Sequence, residues 1–129
     1  LRLGAKSAIG VDVDPKAEDI ARENSAYNGF AAPEFTALTG NVLSDADLMA
    51  KLALGEYDLV LVNIVADVII ALAPVLPNFM NDRSTLICSG ILDTRLSDVM
   101  AALSAVGLSV THIRAKEDWR CITAKRRIS

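Results

Sequence analysis

The sequence predicts an α/β fold: a doubly wound, mostly parallel sheet that ends in an antiparallel hairpin. Three observations carry that expectation. Short aliphatic runs alternate with helical stretches along most of the chain, the pattern of a parallel sheet with helices on both faces. Within the runs, apolar residues sit at consecutive positions rather than at every second one, as in strands buried on both sides. The last two runs are separated only by the polar turn Lys116-Glu117-Asp118, too short for a crossover, so they must be antiparallel neighbours.

The elements follow in order. Ala8–Val13 reads as a strand with an acid, Asp12, near its tip. Asp14 suits a helix N-cap and Pro15 the first helical position. Ala17, Ile20 and Ala21 recur at helical spacing, and Asn28-Gly29 ends the helix. Glu34–Thr39 is the second strand, closed by Gly40-Asn41, and Asp47–Leu54 a short helix. Tyr57–Val62 is a strongly apolar strand that ends at Asn63. Ala66–Ala73 is a helix, Pro74 starts another short helical piece, and Asn81-Asp82 is a turn. Thr85–Ser89 is a strand stopped by Gly90, and Arg95–Val106 a helix with Leu96, Val99, Met100 and Leu103 on one face. Ser109–Arg114 and Trp119–Lys125 form the closing hairpin.

Residues 1–129 read as a single domain, without repeats, linkers or low-complexity tracts. The net charge of −3 gives no electrostatic case for gripping nucleic acid or an anionic membrane. Lys125, Arg126 and Arg127 are read as a solvated strand end. Cys88 and Cys121 lie in apolar runs, as two buried thiols of a reducing compartment would. Residues 59–77 are mostly aliphatic but include Asn63, Asp67 and Pro74. An Asp near the centre of a membrane span costs about 2.5–3.5 kcal/mol, so this run is read as core of a cytoplasmic protein. No secretory leader is visible, and an opening without Met is expected of a chain that begins mid-protein.

In open α/β sheets, ligands bind beyond the carboxyl ends of the strands. Those ends carry Asp12, Asn41, Asn63 and Gly90. Asp12 can accept from both ribose hydroxyls of a nucleoside cofactor, or it can cap a turn. Because Asp14 already suits the cap, the ribose reading is preferred. Asn41-Val42 offers backbone and apolar surface to an adenine, although Asn after Gly is also an ordinary turn residue. Asn63 ends a purely aliphatic run, where an amide must be satisfied or solvated. It could orient a ligand's amino group or an incoming nucleophile, or else cap the next helix. Gly90 either lets backbone approach the reacting centre or simply turns the chain. Trp119 is core, rim or site wall. His112, in mid-strand, is read as structural. Without a Cys-x-x-Cys pair or a His cluster, no metal is implied.

Several segments together resemble a known family. The Ile9-Gly10-Val11-Asp12-Val13-Asp14-Pro15 stretch is similar to the second-strand motif of class I methyltransferases. More specifically, Ala21-Arg22-Glu23-Asn24 with Asn28-Gly29, then Asn63-Ile64-Val65-Ala66, then Ser89-Gly90-Ile91-Leu92, and last Glu117-Asp118-Trp119 resemble the ribosomal protein L-eleven methyltransferase family (PrmA). The resemblance implies a Rossmann-like methyltransferase fold and S-adenosylmethionine as cofactor. It further implies transfer of methyl groups to lysine and N-terminal amines of a large-subunit ribosomal protein. Asp12 with Val13, Asn41 with Val42, and Asn63 with Ile64 then fall on cofactor-contacting positions, with Asn63 beside the methyl group and catalytic. Gly90 and Trp119 fall on the substrate side. The family's first strand, glycine-rich loop and N-terminal recognition domain are absent from these residues, and Asn81-Asp82-Arg83-Ser84 stands where a Pro-Gly-Gly-type turn is usual. The expectation is an active parent protein and an inactive piece that self-associates through exposed sheet edges.

Three rival readings stay open. One is a methyltransferase for another acceptor, although the Asn/Asp-Pro-Pro-aromatic signature of nucleobase enzymes is not present at Asn63-Ile64-Val65-Ala66. A nicotinamide-dependent oxidoreductase shares the strand-tip acid but not the closing hairpin. A non-catalytic α/β fragment is the third.

Overall fold

The computed structural model describes residues 5–12, 14–30, 34–53 and 57–127. They fall into two compact units, Leu1–Leu48 and Met49–Ser129.

In the first unit, β1 (Ala8–Asp12), α1 (Pro15–Tyr27) and β2 (Phe35–Thr39) form a β-α-β arrangement with parallel strands, in register from Ala8↔Phe35 to Asp12↔Thr39. The helix starts as its sequence dictates. The Lys16 N–H donates to Oδ1 of Asp14 at 2.9 Å, and Pro15 occupies the first turn, where its missing N–H costs nothing. It ends at Asn28, with Gly29 in the left-handed region at φ 83°. The helix meets β2 through polar groups. Arg22 donates to Glu18 (2.5 Å) and to the Ala37 carbonyl (3.2 Å), and the Thr39 hydroxyl donates to Glu18. Of the expected apolar stripe, Ala17 and Ala21 are half-buried, whereas Ile20 is exposed. Helix α2 (Ala46–Ala53) is capped by Asp45, whose Oδ1 accepts from the Leu48 N–H at 3.0 Å.

The second unit contains β3 (Tyr57–Asn63), α3 (Ala66–Leu72), β4 (Met80–Leu92), α4 (Leu96–Ala105), β5 (Leu108–Lys116) and β6 (Trp119–Arg126). Its sheet order is β3-β4-β6-β5, with β3 parallel to β4 and the remaining neighbours antiparallel. The expected closing hairpin is thus present. Residues Leu86, Cys88, Ile91, Ile122 and Ala124 share one face of this sheet and are almost fully buried, as are Ile69 of α3 and Val99 and Leu103 of α4. Each of the Leu, Ile and Val side chains among them contributes about 1.5–3 kcal/mol by leaving water.

Three local expectations need correction. Asn81-Asp82 lies inside β4 rather than in a turn before it. The β3–β4 register shifts between Tyr57 and Leu59, and the surplus residues form a bulge there. The bulge keeps turn chemistry: Oδ1 of Asn81 accepts from the Arg83 N–H, and the buried Ser84 hydroxyl accepts from the Asn81 N–H while donating to the Tyr57 carbonyl. The helical piece expected at Pro74 is a 3-10 turn at Leu76–Phe79. Cys121 is half-buried rather than buried, because Ile122, paired with Cys88, occupies the inner face and Cys121 the outer one. Burial, reinforced by the nearby Cys121, pushes the Cys88 thiol up to about 12. No helix among the described residues is long and apolar enough to cross a membrane.

Candidate functional site at the strand tips

In the first unit, the tips of β1 and β2 are joined, since the Gly40 N–H donates to the Asp12 carbonyl at 2.9 Å. Asp12 is exposed, and its Oδ1 accepts from the Asp14 N–H at 2.9 Å. The two aspartates therefore each accept from the N–H two residues on, and Asp14 does not free Asp12 from a turn role as the sequence suggested. A carboxylate has about four acceptor positions, so one N–H leaves capacity for hydroxyl donors. A cleft of about 200 Å³ beneath α1 is lined by Gly10, Asp12, Ala17, Ala21 and Ala37, among others. That is smaller than the roughly 300–1,000 Å³ of ordinary ligand pockets. Asn41 is exposed, and its Oδ1 accepts from the Leu43 N–H at 3.0 Å, so one of the two acceptor positions of its amide oxygen goes to the local turn. Val42 is half-buried in that turn. Val13 lies outside the described residues.

In the second unit, Asn63 is the exposed last residue of β3 and pairs with Ser89 of β4. Its expected alternative as helix cap does not apply, because α3 has Val65 at its N-cap with no side-chain bond. The Asn63 side chain has no hydrogen-bond partner among the described residues. Ile64 is 39% exposed and its N–H donates to the Ser89 carbonyl at 3.3 Å. Trp119 opens β6 opposite Leu92, the last residue of β4, and both are about half exposed. Strand alternation, followed through the register, puts Asn63, Ser89, Leu92 and Trp119 on one face. That is the face opposite the buried Ile91 and Ile122. Asn63, Leu92 and Trp119 also lie at the same end of the sheet, the carboxyl end of β3 and β4.

This end is fastened by polar groups that the sequence reading passed over. The Arg120 guanidinium donates to the Glu117 and Trp119 carbonyls (2.8 and 2.9 Å), and the Asp93 N–H donates to the Asp118 carbonyl (2.8 Å). Arg95 joins the starts of α3 and α4, donating to Asp67 at 2.6 Å and to Asp98 at 3.0 Å. Its hydrogen bond and charge hold the Asp67 carboxyl below the usual carboxylate range. Local spacing could have found the Arg95–Asp98 pair, whereas Asp67 is 28 residues away and only the fold brings it near. His112 is exposed on β5 beside Thr111, away from the strand tips. Among the described residues, no cluster of three or more His, Cys, Asp or Glu could hold a metal ion.

The family model described as "Ribosomal protein L11 methyltransferase (PrmA)" matches residues 1–127. The chain belongs to this family. A ribosomal protein L11 methyltransferase from Agathobacter rectalis is 37% identical over 126 residues, 98% of this chain and 39% of the relative. One from Clostridium perfringens is 35% identical over 124 residues, covering 96% and 37%. The chain thus spans about two-fifths of the length of the curated relatives it matches. Among solved structures, the L11 methylase of Lactobacillus delbrueckii subsp. bulgaricus superposes with a TM-score of 0.85 at 27% identity, covering 98% of this chain and 61% of that one. The fibrillarin pre-rRNA processing protein of Methanococcus jannaschii shares the fold alone, with a TM-score of 0.72 at 10% identity, over 93% of this chain and 56% of that one. The fold is accordingly the Rossmann-like methyltransferase type, with parallel strands followed by an antiparallel hairpin.

Proposed function

We propose that these residues are the greater part of the catalytic domain of an S-adenosylmethionine-dependent protein N-methyltransferase. Its acceptors are lysine and N-terminal amines of ribosomal protein L11, and it works in the cytoplasm. The observation that carries the reading is the family match across residues 1–127.

The residues fit part of the cofactor. Asp12 keeps acceptor capacity at an exposed strand tip, which suits the two ribose hydroxyls. Val13 and the Asn41-Val42 turn are proposed to flank the nucleoside. Asn63 and Ile64 are proposed beside the reacting group, and Gly90 and Trp119 on the acceptor side. When bound, the cofactor supplies a methyl group already activated by its sulfonium. The protein's part is to hold an amine in line with it. A lysine near its ordinary pKa of about 10.4 must lose a proton first, at a cost of roughly 4–5 kcal/mol at neutral pH. Asn63 can accept one N–H of the neutral amine through Oδ1 but cannot take the proton. The exposed Leu92 and Trp119 side chains suit the lysine methylenes.

The test is transfer of radiolabelled methyl from S-adenosylmethionine to purified ribosomal protein L11 by the full-length protein that carries this chain. Labelled L11 is expected, with loss of label in Asn63→Ala. Absence of label on L11 would refute the acceptor.

A self-association reading has one observation in its favour. Among the described residues β1 pairs only with β2, and β3 only with β4, with Leu59 and Leu61 of β3 more than half exposed. Light scattering of the 129-residue chain is expected to give at least a dimer; a monomer at all concentrations would exclude it.

A further inference from the structure

Gly90 sits where β4 departs from regular pairing. The β4–β6 register jumps between Cys88 and Ile91, and Gly90 has a φ of 81°, in the left-handed region. Bulges of this kind re-aim the chain beside functional sites. Here the consequence falls on Asn63. A Cβ built on Gly90 would lie 3.0 Å from the Asn63 Oδ1, 3.2 Å from the Ile64 carbonyl oxygen and 3.5 Å from the Ile64 nitrogen. The two Ile64 atoms are backbone, held by the bond from the Ile64 N–H to the Ser89 carbonyl. The Asn63 amide is the part that could swing away.

We infer that Gly90 is a positioning residue: by lacking a side chain, it leaves free the space that the Asn63 amide oxygen occupies, and so allows Asn63 to present its amide there at the tip of β3. In this role Gly90 acts through Asn63. The inference rests on the proposed role of Asn63 toward the acceptor amine.

The experiment compares Gly90→Ala and Gly90→Asn in the full-length protein that carries this chain. Both place a Cβ against Asn63, but Asn tolerates left-handed backbone better than Ala. Both are expected to lower kcat by about tenfold or more, while Gly90→Asn loses less Tm than Gly90→Ala. In an Asn63→Ala background, the further loss from either change should shrink to about twofold or less. Equal fold-losses in the two backgrounds, or a kcat that falls in step with Tm, would overturn the role. A ¹H–¹⁵N spectrum reads the contact without catalysis. The Asn63 side-chain amide signal, assigned by its loss in Asn63→Asp, should move in Gly90→Asn; an unmoved signal overturns the contact. Full kcat in Asn63→Ala would instead overturn the proposed role of Asn63, and with it the catalytic consequence of Gly90.

Discussion

The two units are stabilised by different physics. Helix α1 of the first unit buries no residue, and Ala37 and Leu48 are that unit's only buried hydrophobic side chains among the described residues. Its strands and helix are joined by caps and by the Arg22–Glu18–Thr39 contacts. The second unit has an apolar core from α3, α4, β4, β5 and β6, with Ile69, Leu86, Ile91, Val99 and Leu103 all at 0% exposure. The strand-tip acid thus stands on the polar, thinly packed unit, and the strand-tip amide on the densely packed one. In the proposed roles, an amide that orients a nucleophile gains from a well-packed support, whereas a carboxylate accepting hydroxyls tolerates more motion.

The contrast is most easily broken in the cores. Leu103→Ala should cost about 2–5 kcal/mol in urea unfolding, while Ile20→Ala on the exposed face of α1 should stay within about 0.5 kcal/mol. Equal losses would show that burial does not separate the units. Next in size is Ser84→Ala, which removes a buried hydroxyl bonded to both Asn81 and Tyr57 and strands those groups. A loss of about 1–3 kcal/mol is expected, read by the same unfolding. In the first unit, Asp14→Ala removes the cap of α1 and should cost about 1 kcal/mol, visible as lost helicity by circular dichroism.

The smallest effect is electrostatic. Arg95 lowers the folded-state pKa of Asp67, so the pair's stabilisation is present above the ordinary carboxylate pKa and is lost as pH falls through the lowered one. Arg95→Gln should remove that part of the acid sensitivity, measured as Tm against pH. Both groups face solvent, and added salt should weaken the difference.

Element order was legible because hydrophobic runs, Asp14-Pro15 and Asn28-Gly29 act locally, within one turn of chain. The bulge at Asn81–Ser84 was not, because the same Asx chemistry that closes a loop also serves inside a strand whose neighbour holds a shifted register. Asp12, Asn41, Asn63 and Trp119 could be named from strand ends and from family resemblance. What each does locally could not. The turn bond of Asp12 runs to a backbone N–H that looks no different in sequence from any other. The closeness of Gly90 to Asn63 spans 27 positions and depends on parallel pairing of β3 with β4. No periodicity encodes such a contact.

The proposed function depends most on Asp12 as the acid proposed to take the ribose hydroxyls. Calorimetric titration of S-adenosylhomocysteine into the full-length protein that carries this chain, with Asp12→Ala beside the unchanged protein, tests it directly. Binding is expected to weaken by about tenfold or more in the variant, as when charge-assisted hydrogen bonds to hydroxyls are lost. Equal affinity in the two proteins would contradict it.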